Sequence, residues 1–170
     1  MSTPEVVIRP FRLSDTEALC PILEETIRKG DTYAIDPDLP RADLLHLWCE
    51  LPAATLVAER AGSLVGTYYI KTNQAGGGAH VCNCGYITSR AARGHGIARA
   101  MCEHSQIKAR DMGYLAMQFN LVVTTNSGAI ALWTDLGFAT VGRLPLVFRH
   151  PKEGLVDALV MHKFLGEGQG

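Results

Sequence analysis

A chain of 170 residues, 47% of them apolar, is long enough to bury a core of its own and has the size of a single domain spanning residues 1–170. Its formal charge of −1, with lysines and arginines scattered along the chain, offers no basic stripe and argues against a nucleic-acid partner. No apolar run approaches the roughly 18 residues of a membrane span, Ser2-Thr3-Pro4-Glu5 does not open a signal segment, and five irregularly spaced cysteines (Cys20, Cys49, Cys82, Cys84, Cys102) suit free thiols in the cytoplasm.

Val6-Val7-Ile8 predicts a strand, and Ser14 and Glu17 have capping-box spacing ahead of the apolar positions Leu19, Ile22, Leu23 and Ile27 of a helix. Gly30 closes that helix, and a connector from Asp31 to Pro40 leads to a second helix near Leu44 to Cys49. Leu56 to Glu59 and Leu64 to Ile70 flank Ala61-Gly62-Ser63 as a β-hairpin. A strand from His80 to Ile87 follows Gly76-Gly77-Gly78. Ile97, Met101, Ser105, Ala109 and Met112 then fall on one helical face, and Gly113 stops that helix. A strand from Ala116 to Val123, a helix from Ser127 to Leu136 and strands near Phe138 to Val147 and Leu155 to Phe164 complete the order. Phe119, Leu121 and Val123 are expected to face the core, as is Trp133. Residues 166–170 are expected to be a flexible tail. The strand from His80, the helix from Ile97 and the strand from Ala116 form a β-α-β unit, which makes those two strands parallel in an otherwise antiparallel, mixed sheet.

Arg93-Gly94-His95-Gly96-Ile97-Ala98 sits where a strand hands over to a helix. Two glycines there let backbone N–H groups converge on an anion that a Cβ would keep away, the helix N-terminus adds roughly 0.3–1 kcal/mol per charge, and Arg93 adds a cation. A dinucleotide fingerprint would need a third small residue where Arg99 stands and an acidic residue where Val123-Thr124-Thr125 stands; a P-loop would need Gly-Lys followed by Ser or Thr. Neither pattern is present.

That turn, followed after one helix and one strand by the run from Asn126-Ser127-Gly128 to Leu136-Gly137-Phe138, resembles the GNAT superfamily of acetyl-coenzyme A dependent N-acetyltransferases. Closer resemblance is to the proline-analogue (azetidine-2-carboxylate) N-acetyltransferases of yeasts and their bacterial relatives. It runs through Gly30-Asp31-Thr32-Tyr33, Asn83-Cys84-Gly85-Tyr86, Met117-Gln118-Phe119-Asn120 and Val156-Asp157-Ala158-Leu159. The resemblance implies an α/β (α+β) fold, a mixed and mostly antiparallel sheet of about six to seven strands with a central parallel pair and about four flanking helices. It implies acetyl-coenzyme A as co-substrate, its pyrophosphate on Arg93, Gly94, His95, Gly96, Ile97, Ala98 and Arg99. It further implies that the pantetheine arm lies along the strand at Tyr86 and Ile87, and that Asn126 helps to hold the cofactor. A small-molecule amine is the implied partner, and dimerisation, common in the family, is implied too. The chain departs from the general pattern at Trp133, where many members place a tyrosine thought to protonate the leaving thiolate.

Asn83 and Asn120 are amides within β-prone runs where apolar residues would be ordinary, and the closer resemblance places both at the substrate end; they are the candidate catalytic pair. Thr32 and Tyr33 could line the acceptor pocket or pack the loop on the core, and Arg149 could take a substrate carboxylate or lie in a solvated turn. His80-x-Cys82-x-Cys84 lacks the spacing of a zinc site, so no metal is expected. A protein acetyltransferase and a non-catalytic acyl-coenzyme A binding module are the alternatives to a small-molecule enzyme.

Overall fold

The computed structural model describes residues 5–166, so Ser2-Thr3-Pro4 and, Gly166 apart, the expected tail lie outside the described residues. The elements in order are β1 (Val6–Pro10), α1 (Thr16–Ile27), α2 (Arg41–Leu45), β2 (Ala54–Arg60), β3 (Ser63–Thr72), β4 (Val81–Thr88), α3 (Ile97–Asp111), β5 (Ala116–Val123), α4 (Ser127–Asp135), β6 (Ala139–His150) and β7 (Gly154–Phe164). The strands form one seven-stranded sheet in the order β1-β2-β3-β4-β5-β7-β6. Every neighbouring pair is antiparallel except β4 and β5, the two strands of the β-α-β unit.

Strand alternation sorts the side chains to two faces. On one, α3 and α4 cover Leu56, Tyr68, Cys82, Cys84, Met117 and Phe119 with Ile97, Met101, Cys102 and Trp133. On the other, Leu19, Leu23 and Ile27 of α1, with Leu44 and Trp48, cover Val57 and Ile87. The second helix continues past Leu45 into a wider turn over His46–Glu50, marked by a bond from Leu51 N–H to His46 O. That turn seats Trp48 in the core, where its indole N–H donates to Thr67 Oγ1 at 3.2 Å. The β2–β3 hairpin closes on Ala61 and Gly62, both at positive φ, as a two-residue turn matched to strand twist demands.

Two local expectations need correction. Ser14 makes no cap for α1. Asp15 instead accepts from the Arg12 N–H at 2.8 Å and takes two hydrogen bonds from the Arg9 guanidinium, at 2.8 and 2.9 Å. Along β5, Phe119 pairs with Met161 but Val122 with Leu159, so Asn120 and Leu121 together face one residue of β7. This bulge resets the alternation, and Val122 joins Met117 and Phe119 in the core cluster in the place expected for Leu121.

The Arg9 hydrogen bonds, the largest influence, hold the buried Asp15 carboxyl below its ordinary value. A group with a depressed folded value stabilises fully above its unfolded value, about 4, and loses that contribution as pH falls through the folded value. Asp15→Asn is therefore expected to cost about 2 kcal/mol at pH 7, by removing charge-assisted bonds. In urea titrations the gap to the wild type should narrow below about pH 4; a pH-independent gap would show that the charge of Asp15 contributes nothing.

Candidate active site

Beyond Val81↔Ala116 and Cys82↔Met117 the parallel strands no longer pair, and β4 and β5 part like a fork. The opening is a cleft of about 1000 Å³, lined by both strands, the 93–99 turn, the start of α4 and the loop after α1. At the crotch, buried Asn83 donates its side-chain N–H to Gln118 O at 2.9 Å, clipping the strands together just past their last backbone pair. The Tyr69 hydroxyl donates to Asn83 Oδ1 at 3.4 Å. Tyr69 lies across Gly85, its partner in register, so closely that a Cβ there would stand 2.6 Å from the ring. Asn120, on the bulge, also lines the cleft; its amide donates to Asn73 Oδ1 at 2.7 Å and accepts from Gln118 Nε2 at 3.0 Å. The candidate pair thus shares one opening. Gln118, Asn73 and Tyr69, which orient its amides, escaped the sequence reading because only strand register brings them there.

The bonds from Asn73 N–H to Val81 O and from Ser89 N–H to Val65 O fix which backbone groups of β4 face β3. Odd-numbered residues from Val81 to Ser89 bond β3, so the N–H and C=O of Cys84, Tyr86 and Thr88 face the cleft. At Tyr86 both are taken by one side chain: the Tyr33 hydroxyl accepts from the Tyr86 N–H at 2.7 Å and donates to its carbonyl at 2.6 Å. Burial pushes the Tyr33 hydroxyl well above the ordinary phenol range, so it stays protonated and able to donate. Burial likewise raises the Cys84 thiol, with Cys82 adding to the effect, and keeps it a poor nucleophile.

Gly94 and Gly96 both lie at φ 76°, and Gly96 is the N-cap of α3. A Cβ at either would meet no protein atom within 4 Å, so within the chain itself it is the left-handed backbone that calls for glycine. The helix begins without a side-chain cap, so no side chain takes the N–H groups of its first turn, whose residues line the cleft. Arg93, Gly94, Gly96, Ile97, Ala98 and Arg99 line the cleft, while the His95 ring turns back to Arg93 O at 2.9 Å. Arg99 also bonds Asp135 of α4. Asn126 lines the cleft as the cap of α4, its side chain accepting from Ala129 N–H at 3.2 Å. Trp133 is buried, its ring 5.0 Å from that of Tyr86 and 5.2 Å from that of Phe119.

Thr32 and Tyr33 stand in the lining with Lys29, Asp31, Lys71 and His150, beside an apolar stretch of Ile35, Leu47, Leu51 and Pro52. Arg149 is not among the lining residues; its neighbour His150 is, because successive strand residues face opposite ways. His150 Nδ1 accepts the N–H groups of Lys152 and Glu153, which leaves Nε2 to carry the ring proton as a donor. Among the described residues no group of three His, Cys, Asp or Glu side chains gathers as a metal site, and no helix is long and apolar enough to cross a membrane. All five cysteines are free thiols.

Comparison with known proteins gives the family and the fold. The acetyltransferase (GNAT) family profile matches residues 21–138. The N-acetyltransferase aca1 of Schizosaccharomyces pombe is 33% identical over 151 residues, 79% of this chain and 72% of the relative. A GCN5-related N-acetyltransferase from Kribbella flavida is 37% identical and superposes with a TM-score of 0.88 over 94% of this chain and 97% of that one. In fold alone, a phosphinothricin acetyltransferase from Sinorhizobium meliloti in complex with acetyl-coenzyme A is similar, at 20% identity and TM-score 0.83 over 96% of this chain and 90% of that one.

Proposed function

Because the chain belongs to the GNAT family of acetyltransferases, we propose that it moves an acetyl group from acetyl-coenzyme A to the amine of a small molecule, an amino acid or proline analogue, by direct attack in a ternary complex. The fork in the sheet carries this reading: one cleft joins an anion-ready turn to a pair of asparagines. The N–H groups at Gly94 to Arg99 suit the pyrophosphate, with Asn126 and Arg99 beside it. The outward backbone of Thr88 suits an extended arm added as a further strand, and so does that of Tyr86 once the Tyr33 hydroxyl yields it.

Acetyl-coenzyme A supplies an activated thioester, and the protein must present the amine as a free base and hold the two in line. For a lysine-like amine, shedding the proton at pH 7 costs about 4–5 kcal/mol. Asp31 is the one carboxylate among the described lining residues, and His150 presents a donor. A thiol leaves readily as thiolate, with a value of about 8.5, so Trp133 costs little by having no acidic proton to give. The raised Cys84 thiol favours direct attack over an acyl-enzyme. Asn83 and Asn120 are assigned the orientation of acceptor and thioester. We place the enzyme in the cytoplasm as a homodimer, a second copy covering the exposed Val141, Leu144, Leu146 and Val147 of edge strand β6.

Release of free thiol from acetyl-coenzyme A, followed across a panel of amino acids and proline analogues, tests the reading. Acceptor-dependent release is expected, and binding of acetyl-coenzyme A with no release for any acceptor would end the small-molecule reading. With a working acceptor, Asn83→Ala and Asn120→Ala should each lower kcat about tenfold, the worth of one well-placed hydrogen bond. Full turnover in either variant removes that residue from the site.

A further inference from the structure

The Tyr33 hydroxyl occupies a backbone position that a strand-like ligand on β4 would need. It sits 2.7 Å from the Tyr86 nitrogen, where a ligand's carbonyl oxygen would sit, and it serves the Tyr86 carbonyl as well. The direction of entry follows from the fold. The glycine turn lies beyond Thr88, and the fork closes at Cys82 and Asn83. An arm anchored at the turn therefore passes Thr88 before Tyr86, so Tyr86 meets a part of the arm nearer its acyl end. A thioester oxygen can accept the Tyr86 N–H; a free thiol, which has no carbonyl, offers no such acceptor.

We propose that the Tyr33 hydroxyl holds the place of the donor's thioester oxygen on the Tyr86 N–H, leaving when an acyl group arrives and returning when only the thiol remains. Tyr33 thereby makes the cleft distinguish acyl-coenzyme A from coenzyme A. The exchange reaches the acceptor side, because Thr32, Ala34 and Ile35 of the same loop line the cleft and the Tyr33 ring rests edge-on against Trp48, 5.6 Å between centroids. The inference depends on acyl-coenzyme A being the donor, and its test separates the two.

Calorimetric titration of wild type and Tyr33→Phe with acetyl-coenzyme A and with coenzyme A is the experiment; phenylalanine keeps the ring against Trp48 and removes only the hydroxyl. Acetyl-coenzyme A should bind the variant about tenfold tighter, the worth of one or two hydrogen bonds no longer displaced, with coenzyme A changed less than about twofold. Equal tightening of both ligands, no change in either, or weaker binding of acetyl-coenzyme A each overturns the gate and leaves the donor assignment standing. Failure of the wild type to bind either ligand overturns the donor assignment itself. Should the variant not fold, 3-fluorotyrosine at position 33 of the wild-type sequence gives a second readout. Its fluorine resonance should move with acetyl-coenzyme A and stay near the free position with coenzyme A; identical responses to both overturn the gate.

Discussion

Gly96→Val is expected to raise the KM for acetyl-coenzyme A by about 10- to 100-fold, the loss of one or two hydrogen bonds to a charged phosphate. Gly96 stands at φ 76° and ψ 8°, a left-handed conformation that a β-branched residue avoids at a cost of about 1–3 kcal/mol. The chain escapes the strain by turning the peptide, and that re-aims the N–H groups at the start of α3. Crowding by the protein's own atoms is not the cause, since a Cβ at this position meets none of them within 4 Å. The melting temperature should fall by only a few degrees, and kcat at saturating donor should stay within about threefold. Gly96→Asn, whose side chain tolerates the left-handed region, should retain most of the affinity. A valine variant with unchanged KM would show that the turn does not grip the donor.

Gly85→Ala is expected to lower kcat by about 10- to 100-fold through a single methyl group, as a misplaced site does. The added Cβ would stand 2.6 Å from Tyr69 Cε1 and 2.9 Å from Cζ. Tyr69 cannot simply swing aside. Its ring is edge-on to Trp48 at 4.8 Å, and its hydroxyl reaches Asn83 at 3.4 Å. Burial pushes that hydroxyl up to about 12, so it remains a donor through the neutral range. Overpacking of this kind costs about 1–3 kcal/mol, a fall in melting temperature of roughly 3–10 °C. Adding Tyr69→Leu, which vacates the ring, should restore the melting temperature without restoring turnover. If the double variant recovers both, Tyr69 only fills space; if Gly85→Ala alone is fully active, the ring has no part in placing Asn83.

What the sequence made legible is what local pattern controls. β5 runs from Ala116 to Val123 as its β-prone run predicts, and α3 begins at Ile97 because the preceding glycines suit a turn. The parallel pair followed from the helix between two strands. The asparagines, which both line the cleft, stood out because an amide is conspicuous in an apolar run and the family resemblance put both at the substrate end. The remainder depends on register, which no window of the chain contains. Nothing near Gly85 says that Tyr69 lies across from it, and nothing near Asn120 says that a bulge shifts the core position to Val122. Tyr33 was visible as an aromatic in a loop, but its bond to Tyr86 spans 53 residues. The start of α1 misled for a different reason: Ser14 has cap spacing, yet Asp15 has Arg9 within reach, and a charge-assisted bond outweighs a neutral one.

The fork leaves the sheet with a short spine. Four strands lie on one side of it and three on the other, and they are joined edge to edge by two backbone pairs, the bonds from Leu115 and Ala116 N–H to His80 O, the Asn83 clip and the Asn120 bond to Asn73. A hinge at one end works as a lever, so a slight change of angle at Cys82 or Met117 becomes a larger change in width at the far mouth. Acceptor preference in a lineage built on this plan can therefore drift through substitutions in the buried spine, with every residue that touches the acceptor left as it was.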